Sequence, residues 1–323
     1  MTGKYDIKVS NNKFTYTLTI SRNITIIKGD SATGKSTLIQ LIDDYYRTKG
    51  RGDVQVVSDV PLYVLGDPSL WKVSLSQIPA SIVFIDEELA EVYKSGDFAS
   101  FIKNTEHYYV IVTRENLYML PYSIDEIYYM KESGKYIDAK HVYNELHRVY
   151  SRNSFPGKIT PAKVVIEDSN SGYQFFVHAF HNGSERCVSA GGNANVTETV
   201  MENLSDLTLA IVDSAAFGAY MSEFDEYVGK NEQIALYAPE SFEYLILSSG
   251  IVKMKDLRKM IDQPYDYVES NRFFSWENFF TFVITESTNK TPLQYKKSKL
   301  NPYYISGKAF HDIISTMDII NFQ

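Results

Sequence analysis

The stretch NITIIKGDSATGKSTLIQLI, residues 23–42, constrains this chain more than any other. A short β-branched run from Ile24 to Ile27 leads into Gly29, and from Lys35 apolar residues recur at helical spacing until Gly50 stops the pattern. Between the two, Gly29, Asp30, Ser31, Ala32, Thr33, Gly34, Lys35 and Ser36 fit G-x-x-x-x-G-K-[ST] without a gap. Small residues let successive backbone N–H groups turn inward as an anion nest, and the helix beyond them aims its positive end at the same point. The segment is expected to cradle phosphates. Lys35 would reach the β- and γ-phosphates, the Ser36 hydroxyl would hold Mg²⁺, and Thr37 is expected with the preceding residues in the nucleotide-binding set.

Two further segments extend this pattern. SIVFIDEE sets Asp86 and Glu87 directly after four apolar residues. A buried strand there would deliver both acids to the carboxyl edge of a parallel sheet, where ligands bind in open α/β folds. Asp86 is expected in the Mg²⁺ shell beside Ser36, and Glu87 as the group that polarises an attacking water. Together GDSATGKS and VFIDEE resemble the Walker A and Walker B motifs of P-loop NTPases, a likeness covering roughly residues 13–135. YYVIVTRENL then ends an apolar run in Thr113 and Arg114, where P-loop ATPases of the additional-strand type carry a sensor. The likeness implies that Thr113 would hydrogen-bond the γ-phosphate or the lytic water. Arg114 would act as a sensor in its own site or as a finger in a neighbour's. This half has no Asn-Lys-x-Asp element for guanine, and no LSGGQ-type signature lies between the two motifs. The spacing is also too short for the helical insertion of a transporter-type ATPase. ATP with Mg²⁺ is the ligand this implies.

At 323 residues, 44% hydrophobic and 22% charged, the chain has apolar material for two cores. Its net charge of −8 argues against attraction of the whole molecule to nucleic acid or an anionic membrane, so a polyanion site would have to be a local basic patch. The lone Cys187 excludes a disulfide framework, and no apolar run approaches membrane-spanning length; a cytoplasmic setting is expected. Apolar runs alternate with helical patterns over residues 1–137, which predicts an α/β fold with a parallel sheet. Residues 138–160 are predicted as a connecting helix and linker. Residues 161–323 are predicted as a second, smaller α/β domain with a helical, aromatic-rich C-terminal region.

In that second half VVIEDSNSGYQFF, LAIVDSAAFG and IALYAPESFEYLIL each end an apolar run in acids: Glu167 with Asp168, Asp213, and Glu240 with Glu243 nearby. Acids at the ends of neighbouring parallel strands converge at one edge and suit Mg²⁺. With the Gly-rich SAGGNANV between them, their order is similar to the Rossmann-like Toprim fold of topoisomerases, primases and OLD-type nucleases. It is most like the Toprim nucleases that accompany ATPases in anti-phage systems. That likeness implies a second metal site on Glu167, Asp213 and Glu240. The departures are specific: the Asp-x-Asp position reads Asp213-Ser214-Ala215, Asp168 comes after Glu167 where Gly is usual, and Ser171 stands where an acid is common. They imply a domain that binds rather than cuts. YKKSKLNPYY sets Lys296, Lys297 and Lys299 among aromatics, the best local patch for a nucleic-acid backbone. His178 and His181 lie in a strand-like pattern, where i and i+3 face opposite sides, so chelation there is not expected.

The two likenesses together imply an ATP-binding and ATP-hydrolysing protein whose nucleotide state controls a Toprim-like domain. That domain would act on nucleic acid, a protein partner or a second copy of the chain, in mobile-element or phage-defence biology, away from membranes. A nucleotide-dependent interaction switch without nucleic-acid chemistry and a small-molecule P-loop kinase are the alternatives.

Overall fold

The computed structural model describes residues 1–29, 34–133 and 141–323. The chain divides into two compact units of comparable length: Met1–Tyr150 with Tyr265–Phe274, and Ser151–Pro264 with Ser275–Gln323. Both are mixed α/β.

The strands of the first unit are β1 (Tyr5–Ser10), β2 (Phe14–Ile20), β3 (Ile24–Lys28), β4 (Gln55–Val57), β5 (Leu62–Leu65), β6 (Ile82–Ile85), β7 (Tyr108–Val112), β8 (Ile127–Glu132) and β9 (Val142–Arg148). They form one sheet in the order β4-β1-β2-β9-β8-β3-β7-β6-β5. The run β8-β3-β7-β6-β5 is parallel throughout. Every residue of β6 and β7 is buried, which is why these segments read as unbroken apolar runs. The helix Lys35–Arg47 comes after β3 and packs Leu38, Ile39, Leu41 and Ile42 into a core shared with Ile27, Phe84 and Val110.

Two features depart from the sequence expectation. Residues 142–148 form β9 rather than a connecting helix; residues 138–140 of that stretch lie outside the described residues. HVYNELHRV fits both a helical and an alternating spacing. Pairing between β2 and β8, with Tyr16 opposite Asn144 and Met130 opposite Leu146, decides for the strand. Residues 265–274 fold with the first unit instead of the domain predicted over 161–323. Gly3 donates its N–H to the Tyr265 carbonyl at 2.7 Å, and the Asn23 side chain donates to the carbonyls of Ser270 and Phe273 at 3.3 and 2.8 Å.

The second unit is built on β10 (Lys163–Ile166), β11 (Cys187–Ser189), β12 (Thr208–Ile211) and β13 (Ile234–Tyr237), all parallel, in the order β11-β10-β12-β13. Ile166, Ile211 and Tyr237 are in register, so the carboxyl ends of three strands are level. Residues Ser171–Ala179, with their strand-like pattern, form a helix. Asp168 dictates this start by accepting the N–H groups of Gly172 and Tyr173 at 3.2 and 2.7 Å, while Phe175 and Phe176 pack inward. Further helices run over Leu257–Asp262, Trp276–Thr288 and Gly307–Ile314. Trp276, Phe279 and Phe280 are buried, as are Tyr16, Tyr108, Tyr109, Tyr295 and Tyr304, so much of the aromatic content is packing. Among the described residues no helix is long and apolar enough to cross a membrane.

Candidate functional site

In the first sheet Ile27 pairs with Val112 and Ile111 with Ile85, so β3, β7 and β6 end side by side. Thr113 donates its N–H to the Ile27 carbonyl at 3.2 Å. Gly29, Thr113 and Asp86, the first residues past the three strand ends, therefore share one edge. Asp30, Ser31, Ala32 and Thr33 lie outside the described residues. Both flanking glycines are in the left-handed region, Gly29 at φ 131° and Gly34 at φ 86°. A Cβ on Gly34 would also stand 3.0 Å from the Tyr16 hydroxyl, so no other residue fits without displacing that ring. Lys35 is buried and donates from Nζ to the Gly29 carbonyl at 2.9 Å, closing the two ends of the loop on each other. Ser36 is exposed on the first helical turn, with Thr37 half-buried beside it.

Asp86 accepts the Glu87 N–H on Oδ1 at 2.7 Å and so starts a tight turn over Glu87–Leu89. Glu87 is ion-paired to Arg114, Oε1 to Nε at 3.1 Å. Thr113 is buried and accepts the Glu115 N–H at 3.0 Å. Lys28, the last residue of β3, donates to the Asn116 side chain at 2.7 Å, and burial lowers the pKa of its ammonium. Lys28 belongs to no motif in the sequence; its position one residue before Gly29 is the signal that marks it. A cleft of about 410 Å³ opens beside Gly34, lined by Phe14, Tyr16, Met130, Val142 and Asn144 among others.

The second sheet carries a different edge. Glu167 and Asp213 lie just beyond the adjacent strands β10 and β12. Burial, then the carboxylates of Glu277 and Asp168, push Glu167 up to about 7. Burial, then Glu277, Glu167 and Glu243, hold Asp213 well above the usual carboxylate range. Asp213 also accepts the Phe242 N–H on Oδ1 at 3.1 Å.

Glu240 does not join them. It is 3% exposed and ion-paired to Arg152, 2.5 Å from Nη2. The cause is the segment after residue 150, which bridges β13 at Asn153 and Tyr237 and accepts the Ala238 N–H on the Arg152 carbonyl. The carboxyl groups that do share the electrostatics of this edge are Glu243, in the first turn of the helix Phe242–Ser248, and Glu277, in the first turn of Trp276–Thr288. Sequence reasoning misses Glu277 because it lies far along the chain on a helix, with no motif around it. The Tyr295 hydroxyl donates to Glu243 Oε1 at 2.7 Å and accepts from Ser171 Oγ at 2.7 Å.

Lys297 is also drawn inward: it is ion-paired to Glu277, and its ammonium is held above the ordinary lysine value by Glu277 and Glu243 against the cost of burial. Of the expected basic patch, only Lys296 and Lys299 stay exposed. Among the described residues no group of three or more His, Cys, Asp or Glu is arranged to hold a metal ion. His178 packs edge-on against Phe310, 5.2 Å between ring centroids. Cys187 is buried, which pushes its thiol up to about 12 and leaves it unreactive.

No protein-family model, curated protein or solved structure matches this chain.

Proposed function

We propose that the first unit binds ATP with Mg²⁺ and hydrolyses it, and that its nucleotide state governs what the second unit holds. The observation that carries this is the edge where β3, β7 and β6 end together. There Gly29 and Lys35, on either side of residues 30–33, share the edge with Thr113 and Arg114 after one neighbouring strand and Asp86 and Glu87 after the next. The order β8-β3-β7-β6-β5, with β7 inserted between the loop-bearing and the acid-bearing strand, supports a P-loop ATPase of the additional-strand type.

In this reading the loop amides and Lys35 bind the β- and γ-phosphates, Lys35 exchanging a neutral carbonyl for a charged and stronger acceptor. A hydroxyl and a carboxylate suit a hard cation, so Ser36 and Asp86 would hold Mg²⁺, which supplies charge neutralisation between the phosphates. Arg114 turns toward the γ-phosphate and releases Glu87, which then accepts a proton from the attacking water. Thr113 orients that water, and the apolar walls of the cleft at Phe14, Tyr16 and Met130 receive the base. The second unit then holds a nucleic acid or a protein partner, in mobile-element or phage-defence biology. The Glu240–Arg152 pair and the inward Lys297 favour binding over cleavage there, which supports the interaction-switch variant of this reading.

Calorimetric titration with Mg²⁺·ATP, then phosphate release with and without DNA or RNA, tests the proposal. Saturable binding with turnover is expected. A chain that binds no ATP ends it.

A further inference from the structure

Several carboxylates of the second edge already have partners within the chain, and among the described residues no three of them are arranged to hold a metal ion. Asp168 is spent capping the helix Ser171–Ala179. Asp213 Oδ1 takes the Phe242 N–H, Glu243 Oε1 takes the Tyr295 hydroxyl, and Glu240 is turned away to Arg152. Glu243 is 1% exposed and its Oε2 has no hydrogen-bond partner, a buried carboxylate oxygen that calls for a positive charge near it. The cation nearest at hand belongs to the chain. Lys297 is ion-paired to Glu277 and sits within electrostatic reach of Glu243, Asp213 and Glu167. Its backbone is fixed in turn: the Lys297 carbonyl accepts the Ser171 N–H at 3.0 Å, and Leu300 donates its N–H to the Gln174 side chain at 2.9 Å. Residues 295–300 thus form a strap tied to the first helix of the sheet edge.

The metal set implied by the Toprim likeness therefore does not fit these residues. We infer that the Lys297 ammonium is the resident cation of this edge, occupying the role a divalent ion plays among clustered carboxylates. One positive charge on a tethered side chain offsets the carboxylates of Glu167, Asp213, Glu243 and Glu277 but activates no water. The edge is then a rigid recognition surface and not a hydrolytic centre. None of this depends on the nucleotide reading, since every residue involved belongs to the second unit.

The test uses the full chain without nucleotide and Mn²⁺ as the probe, read by calorimetry and by thermal melting. Wild type is expected to show no saturable Mn²⁺ binding in the millimolar range. Lys297→Met, which keeps the length and removes the charge, should bind Mn²⁺ at least about tenfold more tightly than wild type. Adding Asp213→Asn to that variant should abolish the gain, and Lys297→Arg should behave as wild type. Saturable Mn²⁺ binding by wild type that Asp213→Asn removes would overturn the inference, as would a folded Lys297→Met that binds no better than wild type. Should Lys297→Met not fold, the wild-type titration decides alone: binding lost in Asp213→Asn refutes the inference, and absence of binding upholds it.

Discussion

At the carboxyl edge of the first sheet, Gly29 and Gly34 open the backbone and Lys35 supplies a cation, with Asp86 and Glu87 following the neighbouring strand β6. At the corresponding edge of the second sheet, Glu167, Asp213, Glu243 and Glu277 gather and one ammonium offsets them. Both edges arise from parallel strands that end level, so topology does not set their chemistry. The turn leaving each strand does. A glycine-bounded turn at a helix N-terminus suits an anion. After β10, Asp168 takes the N–H groups of Gly172 and Tyr173 for itself, and the edge turns acidic.

Lys35→Ala attacks this contrast most directly. It should lower ATP turnover by about a hundredfold or more while leaving the melting of the second unit unchanged. Equal turnover in mutant and wild type would remove the functional difference between the edges. The next effect is on pH. Glu167 has a folded pKa near 7 against an ordinary value of 4.5, so its contribution to stability is complete below about 4.5 and is lost as pH rises through 7. Denaturant unfolding should show the second unit less stable at pH 8 than at pH 5 by on the order of 1–3 kcal/mol, and Glu167→Gln should flatten that slope.

Tyr295→Phe removes the donor to Glu243 Oε1 and leaves a second buried oxygen unpaired. A loss of about 1–3 kcal/mol from the second unit is expected, with ATP affinity unaffected. Smallest is the stability change in Arg114→Ala. Its pair with Glu87 is half-exposed on both sides, so stability should shift by less than about 1 kcal/mol. Turnover should fall in the same variant. If turnover holds steady, the pair is only a surface contact.

Several pieces of the molecule are legible in the sequence alone. Ile24–Ile27, Ile82–Ile85 and Tyr108–Val112 announce themselves because strands buried on both faces admit few polar residues, and the sheet uses them as its centre. Gly34 is legible as the second glycine of G-x-x-x-x-G-K-[ST], and the fold uses it at a left-handed φ where a Cβ would crowd Tyr16. Residues 142–148 are not, since their pattern satisfies two periods and only pairing with β2 and β8 chooses. The helix Ser171–Ala179 hides behind adjacent aromatics; Asp168 four residues ahead of Gly172 is the available cue. Glu240 looks equivalent to Glu167 and Asp213 until Arg152 arrives from a segment outside any motif. Glu277 carries no local mark, and Lys297 is marked only as part of a basic patch, because a charge pair made across 20 residues is a tertiary fact.

The segment Tyr265–Phe274 has a consequence for how the protein is made. The first unit is not a continuous piece of chain, since its Asn23 side chain donates to the carbonyls of Ser270 and Phe273. A ribosome that has finished residue 150 must add about 120 more before those acceptors exist, a delay on the order of ten seconds. Through that interval the nascent first unit lacks the segment Tyr265–Phe274 while the second is still being spelled out. A gene cut at residue 150 would fix the chain permanently in that condition, so dissecting the two units calls for a graft of residues 265–274 onto the shorter product rather than a single stop codon.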